Sequence, residues 1–412
     1  MERLKVLMFG WEYAPIVSGG LGVVCRSIAQ NLVSQGVDLT FVLPRLPRRI
    51  SVDNMQLVNA AETEISEESL TYISVTTMLS PYMTAEDFAE LRRQSKLRRE
   101  DDDTSEMYGA NLFEEVIKYA ARAFDIALEN THDVIHAHDW MTFKAAINAK
   151  SISRKPLIVH IHATEVERTA GNPHPTIYEY EREGMQAADK VITVSELTRQ
   201  TVIQHYGIAP EKIEVVHNAV DEVSSVPAKT LLSETHDYKT VLFLARLAPS
   251  KGADYLLHAA QKVLQMMTDV KFVFVGKGSM EKELINLSKE LGIEDHVIFT
   301  GFLNHDQVDE AYKRANLFVM PSVAEPFGIT VLEAIRNGTP VLMSKQSGAG
   351  EVVRNALKVD FWDTDEMANK ILAVLKHATL AETLRENGLT DLERMSWEAQ
   401  IGKIISIYNS LA

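Results

Sequence analysis

Short runs of β-branched, aromatic and other apolar residues alternate with amphipathic stretches along almost the whole chain, and this alternation constrains the fold more than any other feature. Strands are predicted at LKVLMFG (from Leu4), VDLTFVLP (from Val37), DVIHAHD (from Asp133), PLIVHIHA (from Pro156), KVITVS (from Lys190) and KIEVVHN (from Lys212). A second series runs TVLFLARL (from Thr240), VKFVFVGKG (from Val270), DHVIFTGF (from Asp295), ANLFVMPS (from Ala315) and TPVLMSK (from Thr339). Between them lie helix-period segments such as VVCRSIAQNLVSQG and GADYLLHAAQKVLQMM. Alternation of this kind specifies parallel sheets covered by helices on both faces, and nearly unbroken apolar strands fit sheets buried on both sides.

At 412 residues the chain is too long for one hydrophobic core, so two α/β domains of roughly 200 residues are expected. The two strand series separate at a polar, proline-containing stretch without periodicity. This places a first domain at 1–220, a linker at 221–238 and a second domain at 239–395. The closing segment, 396–412, reads as an amphipathic helix behind Ser396 as N-cap. The formal net charge of −15 argues against nucleic acid or an anionic membrane as partner, although a local pair of cations can still hold a phosphate. A single cysteine, Cys25, cannot form an intramolecular disulfide and fits a reducing, cytoplasmic setting. The start, MERLKVLMFGWEYAP, reads as a first strand and not as a signal peptide, and no apolar run reaches the ~18 residues of an integral membrane segment. The stretch LRRQSKLRREDDDTSEMYG from Leu91 reads as a solvated loop, with acceptor binding as the alternative.

In open parallel sheets ligands bind beyond the carboxyl ends of the strands. After the first strand, Gly19, Gly20 and Gly22 open a helix, as either a tight βα turn or a close approach to an anion; the spacing is not GxGxxG. In ARLAPSKGADYLL, Arg246 and Lys251 form either a diphosphate clamp or two solvated cations, and their place in a βα turn favours the clamp. In AEPFGITVLEAI, Pro326 keeps Glu325 extended and outside a helix that starts near Phe327 or Gly328. The amides of Gly328, Ile329 and Thr330 then face outward for phosphate or hydroxyl oxygens, and Glu333 lies further along the helix. Carboxylates accept hydrogen bonds from paired sugar hydroxyls, so this stretch suits a sugar held beside a phosphate. His136, His138, His160 and His162 alternate along two strands. His136 and His160 read as core histidines; His162 and Asp139, nearer the strand ends, are the better site candidates. No zinc-signature spacing such as HExxH is present, and no metal is expected.

With these residues in view the chain resembles the retaining glycosyltransferases of family 4, which have the glycosyltransferase-B fold, and within them the glycogen and starch synthases. The likeness rests on EYAPIVSGGLG (from Glu12), HAHDW (from His136), ADKVITVS (from Ala188), VVHNAVD (from Val215), ARLAPSKG (from Ala245), VGKG (from Val275) and, most specifically, the E-x7-E stretch EPFGITVLE (from Glu325). It implies two doubly wound Rossmann-like domains facing a cleft, with the final helix crossing back to the first. It also implies that Arg246 and Lys251 hold the donor diphosphate as the leaving group departs, that Glu333 binds the ribose, and that Glu325 holds donor-sugar hydroxyls with the amides of Gly328, Ile329 and Thr330. By the same resemblance His162 sits by the donor sugar and Asp139 at the acceptor side or sugar pocket. Gly19 and Gly20 contact the diphosphate, while Gly276, Lys277, Gly278, Phe302 and Leu303 border the nucleobase. The chain departs from the bacterial glycogen synthases in carrying Val17-Ser18 where they have a Lys-Thr pair, and in short first-domain insertions.

The activity this implies is transfer of a hexosyl, in particular glucosyl, unit from ADP- or UDP-glucose to an α-glucan, with retention and without a further cofactor. A front-face displacement needs no pair of carboxylates at glycosidase spacing. Within the same class the acceptor is alternatively a small sugar, a sugar phosphate or another glycan. A nucleotide-sugar epimerase or hydrolase on the same fold is a further reading, since it could draw its acid and base from the histidines. A non-catalytic binding module would have lost part of the set Arg246, Lys251, Glu325 and Glu333, and all four are present.

Overall fold

The computed structural model describes residues 3–14, 20–45, 55–62, 112–220 and 238–412. Gly19, Val17 and Ser18, the charged stretch 91–107 and, except for Tyr238, the linker lie outside the described residues. The first domain carries β1 (Lys5–Phe9), β2 (Asp38–Leu43), β3 (Gln56–Asn59), β4 (Val134–His138), β5 (Leu157–Ile161), β6 (Lys190–Thr193) and β7 (Ile213–Val215). The second carries β8 (Lys239–Leu244), β9 (Val270–Val275), β10 (Val297–Gly301), β11 (Leu317–Met320), β12 (Val341–Ser344) and β13 (Leu357–Val359). Helices α1 (Gly20–Ser34), α2 (Leu112–Glu129), α3 (Trp140–Ser153), α4 (Glu165–Arg168), α5 (Pro175–Ala187) and α6 (Glu196–Tyr206) accompany the first sheet. Helices α7 (Ala253–Leu264), α8 (Glu281–Glu290), α9 (His305–Arg314), α10 (Ile329–Arg336), α11 (Thr364–Lys376), α12 (Ala378–Leu392) and α13 (Trp397–Asn409) follow.

Both sheets are parallel, in the orders β3-β2-β1-β4-β5-β6-β7 and β10-β9-β8-β11-β12-β13. This is the doubly wound, Rossmann-like α/β architecture expected. The two edge-region strands that periodicity did not mark are β3 and β13. QLVN of β3 is only partly buried and LKV of β13 has three residues, so neither is apolar on both faces. The central strands are wholly buried, and apolar clusters lie on both faces of each sheet.

Sequence direction reverses between β1 and β4 in the first sheet and between β8 and β11 in the second. At such switch points neighbouring crossovers leave on opposite faces, and a crevice opens beyond the carboxyl ends. Helix α13 is capped by Ser396, whose hydroxyl accepts from the Ala399 N–H. Its Trp397, Ile401, Ile404 and Tyr408 lie in one apolar cluster with Val6, Met8, Ile28 and Leu32, so the chain ends on the first domain.

Candidate active site

The residues that follow the four switch-point strands carry most of the chemistry. After β8, residues Pro249–Lys251 form a single 3-10 turn and Gly252, at φ +66, starts α7. A Cβ added at Gly252 would lie 2.0 Å from the Pro321 carbonyl oxygen, so the β8 and β11 turns touch backbone to backbone there. That contact sets Lys251 beside the β11 turn, where its Nζ donates to Glu325 Oε2 at 2.7 Å. Ser322 Oγ donates to the same oxygen at 3.1 Å. Only 21% of the lysine and 13% of the glutamate side chain is exposed, so the ion pair is shielded enough to hold its geometry.

Glu325 is pinned by its backbone as well. Its N–H donates to the Gln346 carbonyl at 3.0 Å, and its carbonyl accepts from Gly348 N–H at 3.0 Å, a bridge to the loop after β12. Pro326 follows, and the chain turns through Gly328 at φ +99 before α10 begins at Ile329. The helix start agrees to within a residue or two with the sequence expectation. The first-turn amides of α10 have no intrahelical acceptor, and a Cβ at Gly328 would lie 3.2 Å from Glu325 Cγ, so the helix start adjoins the glutamate side chain. Ile329 and Thr330 are half-buried there, and Gly328 is buried. One turn on, Glu333 Oε2 accepts from the Tyr312 hydroxyl at 3.1 Å.

The opposite rim of the second sheet gathers the turn after β9. Gly276 N–H donates to the Gly301 carbonyl at 2.9 Å, and Leu247 N–H to the Lys277 carbonyl at 3.0 Å. Cβ atoms at Gly276 and Gly278 would lie 2.0 and 2.1 Å from the carbonyl oxygens of Ala245 and Leu247. These contacts unite Arg246, the Gly276–Gly278 turn, Phe302 and Leu303. Arg246 is exposed and forms no ion pair among the described residues, whereas Phe302 is 58% exposed, a large apolar face left to solvent beside the turn.

On the first domain, Gly20 is exposed at the start of α1. Asp139 follows β4 as the N-cap of α3, with φ 56 and ψ 168, a conformation that costs a non-glycine residue on the order of 1–3 kcal/mol. Its buried carboxylate accepts from the His162 N–H at 2.8 Å and the Ala163 N–H at 3.4 Å. Burial pushes the Asp139 carboxyl up to about 6, against the lowering effect of Arg168 and those two amides. Asp139 thus ties the end of β4 to the end of β5. His162 is half-buried, with Nε2 2.9 Å from His138 Nδ1, and burial drives its ring down to about 3, so the imidazole is neutral.

The two domains meet at the glutamate turn. Ser195 Oγ donates to the Pro326 carbonyl at 2.6 Å, and Gly348 packs so closely that a Cβ would lie 2.6 Å from that of Ser195. Glu351 accepts from the Glu196 and Leu197 N–H groups at 2.9 Å and sits 2.9 Å from His217 Nε2. Ser195 and His217 fall in stretches that carry the family resemblance without being singled out there, and Ser322, Gly348 and Glu351 carry no sequence signal that sets them apart. Their positions just past β6, β7, β11 and β12 were the available clue.

A family model for the starch synthase catalytic domain matches residues 5–213, just over half of the chain, and one for group 1 glycosyl transferases matches residues 231–391. An uncharacterized glycosyltransferase of Methanocaldococcus jannaschii is 29% identical over 98% of this chain and 98% of its own length. A D-inositol 3-phosphate glycosyltransferase of Catenulispora acidiphila is 28% identical over 68% of this chain and 72% of that relative. A glycogen synthase of Mycobacterium tuberculosis is 25% identical, with 85% of this chain and 80% of the relative covered. Among solved structures, sucrose-phosphate synthase from Thermosynechococcus elongatus superimposes with a TM-score of 0.76 at 19% identity over 99% of both chains, a likeness of fold. The chain therefore belongs to the starch synthase catalytic-domain family, with a second domain that matches the group 1 glycosyl transferases, and is a hexosyltransferase of the glycosyltransferase-B fold.

Proposed function

We propose that the enzyme moves a glucosyl unit from ADP- or UDP-glucose to a hydroxyl of an α-glucan, with retention at the anomeric carbon. The observation that carries this reading is the Lys251–Glu325 pair, 2.7 Å apart, at the carboxyl ends of β8 and β11 and beside the open amides of α10. Cation, carboxylate and amides there match a diphosphate joined to a polyol. Arg246 and Lys251 face the diphosphate and stabilise the charge that develops on it. Glu325 and the amides of Gly328, Ile329 and Thr330 hold sugar hydroxyls; Glu333 takes the ribose hydroxyls; Gly276, Lys277, Gly278, Phe302 and Leu303 border the base. Across the cleft, His162 and Asp139 face the sugar, and Gly19 and Gly20 approach the diphosphate.

In the reaction the bond from the anomeric carbon to the diphosphate oxygen breaks. The acceptor oxygen bonds to that carbon from the same face, and its proton passes to the departing phosphate. Neutral His162 can accept or donate one hydrogen bond at the sugar without adding charge. The starch synthase match over the first domain and the glycogen synthase relative support an α-glucan acceptor. The D-inositol 3-phosphate glycosyltransferase relative favours a second reading, with a sugar or cyclitol phosphate as acceptor. Among the described residues no helix is long and apolar enough to cross a membrane, and a cytoplasmic site of action is part of this proposal.

The test is a donor panel of ADP-glucose, UDP-glucose, GDP-mannose and UDP-N-acetylglucosamine, each with glycogen, with a phosphorylated small acceptor, or with neither. Glucan-dependent release of ADP or UDP with labelled polymer supports the proposal. Release that depends only on the phosphorylated acceptor supports the second reading, and release from a non-glucosyl donor alone overturns the donor assignment.

A further inference from the structure

Behind the sugar-facing ends of β4 and β5 lies a closed cluster of imidazoles. His138 and His160 are paired across the two strands, and His136 lies two residues before His138, so all three project from one face of the sheet. The rings of His136 and His160 stack with planes 3° apart at 5.5 Å, and that of His138 lies 4.4 Å from His136 and 5.3 Å from His160. All three residues are at most 1% exposed. His136 Nε2, His138 Nε2 and both ring nitrogens of His160 find no hydrogen-bond partner among the described residues. A buried polar nitrogen without a partner is costly, and four of them on three neighbouring rings is not how a core accommodates histidine.

One ring nitrogen from each of the three histidines lies within 4.8 Å of the others. Zinc–imidazole bonds of about 2.0–2.1 Å in a tetrahedral site put ligand nitrogens about 3.3 Å apart, so closing the set takes a shift of up to about 1.5 Å and a rotation of the stacked rings that brings the ion into each ring plane. The outer nitrogens of His136 and His138 are already held as ligand histidines require; that of His160 has no partner among the described residues. His136 Nδ1 lies 2.6 Å from the Tyr408 hydroxyl and His138 Nδ1 lies 2.9 Å from His162 Nε2, which leaves both Nε2 atoms turned inward. We propose that His136, His138 and His160 form a buried three-histidine site for zinc, with a water molecule as the fourth ligand, closed over by Tyr408 of the returning C-terminal helix. This departs from the expectation of no metal, which rested on the lack of a known zinc spacing; these ligands come from two strands and are joined only by their register.

The site has a consequence for the cleft. Coordination through His138 Nε2 requires the proton on Nδ1, which then donates to His162 Nε2 and leaves the His162 proton on Nδ1. The ion would hold one tautomer of His162, so His138 acts as a positioning residue. A second set, Cys25, His138 and His162, shares His138 and competes for the same ion. We assign the first set because, among the described residues, His136 and His138 have partners on Nδ1 and none on Nε2, and His160 has both nitrogens free, whereas His162 Nε2 of the second set is already hydrogen-bonded to His138.

The test is zinc content by mass spectrometry of full-length protein without a histidine tag, expressed with added zinc and dialysed against chelator-treated buffer. About one zinc per chain is expected in the wild type, retained in Cys25→Ser and lost in His160→Asn and His136→Asn, with folding checked by circular dichroism. Tyr408→Phe should bind about 10–100-fold more weakly in competition with a chelator. If a histidine variant does not fold, cobalt substitution of the wild type decides, through the visible bands of a nitrogen-ligated tetrahedral ion. Zinc-free and cobalt-free wild type, or zinc kept in His160→Asn and lost in Cys25→Ser, overturns the assignment.

Discussion

Glu325→Gln separates the two jobs given to the glutamate turn. The substitution is nearly isosteric, and the backbone bonds of residue 325 to Gln346 and Gly348 do not involve the side chain. A glutamine oxygen still accepts from Ser322 Oγ, so the fold loses mainly the charge opposite Lys251. For a largely shielded pair with one bond retained, this costs about 1 kcal/mol, a fall of about 2–4 °C in melting temperature. Activity responds differently. Two charge-assisted bonds to sugar hydroxyls, at about 1.5–3 kcal/mol each, put the loss in kcat/KM at about 10²–10⁴-fold. Lys251, released from its counter-ion, should bind the product nucleoside diphosphate as tightly as before or more tightly. Steady-state release of the nucleoside diphosphate and calorimetric titration with it supply both numbers. Turnover within about threefold of wild type, or a fall in diphosphate affinity that matches the fall in turnover, would refute the separation of roles.

Three further outcomes are expected. Gly252→Ala puts a Cβ 2.0 Å from the Pro321 carbonyl oxygen at a φ of +66, and should destabilise the second domain by about 2–5 kcal/mol in denaturant titration; a shift below 0.5 kcal/mol would show that the turn yields freely. Ser195→Ala removes both the N-cap of α6 and the donor to the Pro326 carbonyl, and should cost about 1–3 kcal/mol and loosen the domain contact, read as faster hydrogen exchange at 326–330. Burial raises the Glu181 carboxyl from 4.5 to about 7, although Arg168, Tyr206 and the Glu165 amide act to lower it and Asp139 adds a small raising effect. Between those values the folded state holds a proton that the unfolded chain has released, so stability falls as pH rises from 4.5 to 7, by about 3 kcal/mol at most. Glu181→Gln should flatten the melting temperature across that window, and an unchanged slope would assign the effect elsewhere.

Much of the second domain's site could be read along the chain because its parts are local. Proline after Glu325 ends extended backbone, a glycine follows, and a helix begins; that is a matter of neighbouring dihedral angles. Lys251 before Gly252 and the Gly276–Gly278 turn are likewise short-range features at strand ends. What could not be read was which of these turns touch. The Lys251–Glu325 bond spans 74 positions and the Ser195–Pro326 bond 131, and both exist only because β8 lies beside β11 and the two sheets face each other.

The histidines show the same division. Their alternation along β4 and β5 indicates which residues share a face, and along the chain alone His136 and His160 look like ordinary core histidines. Only the register of the two strands, together with a helix 272 positions further on, makes them a cluster with unmatched nitrogens. The edge strands β3 and β13 were missed because a strand paired on one side and wetted by solvent has no reason to be continuously apolar. The sequence by itself determined the α/β class, two parallel sheets and the turns that bear charge, because hydrophobic period and backbone preference act over a few residues. The tertiary structure decided the order of strands, the domain contact at Pro326 and the return of the last helix onto the first sheet, because those depend on surfaces that become neighbours only after the chain has folded.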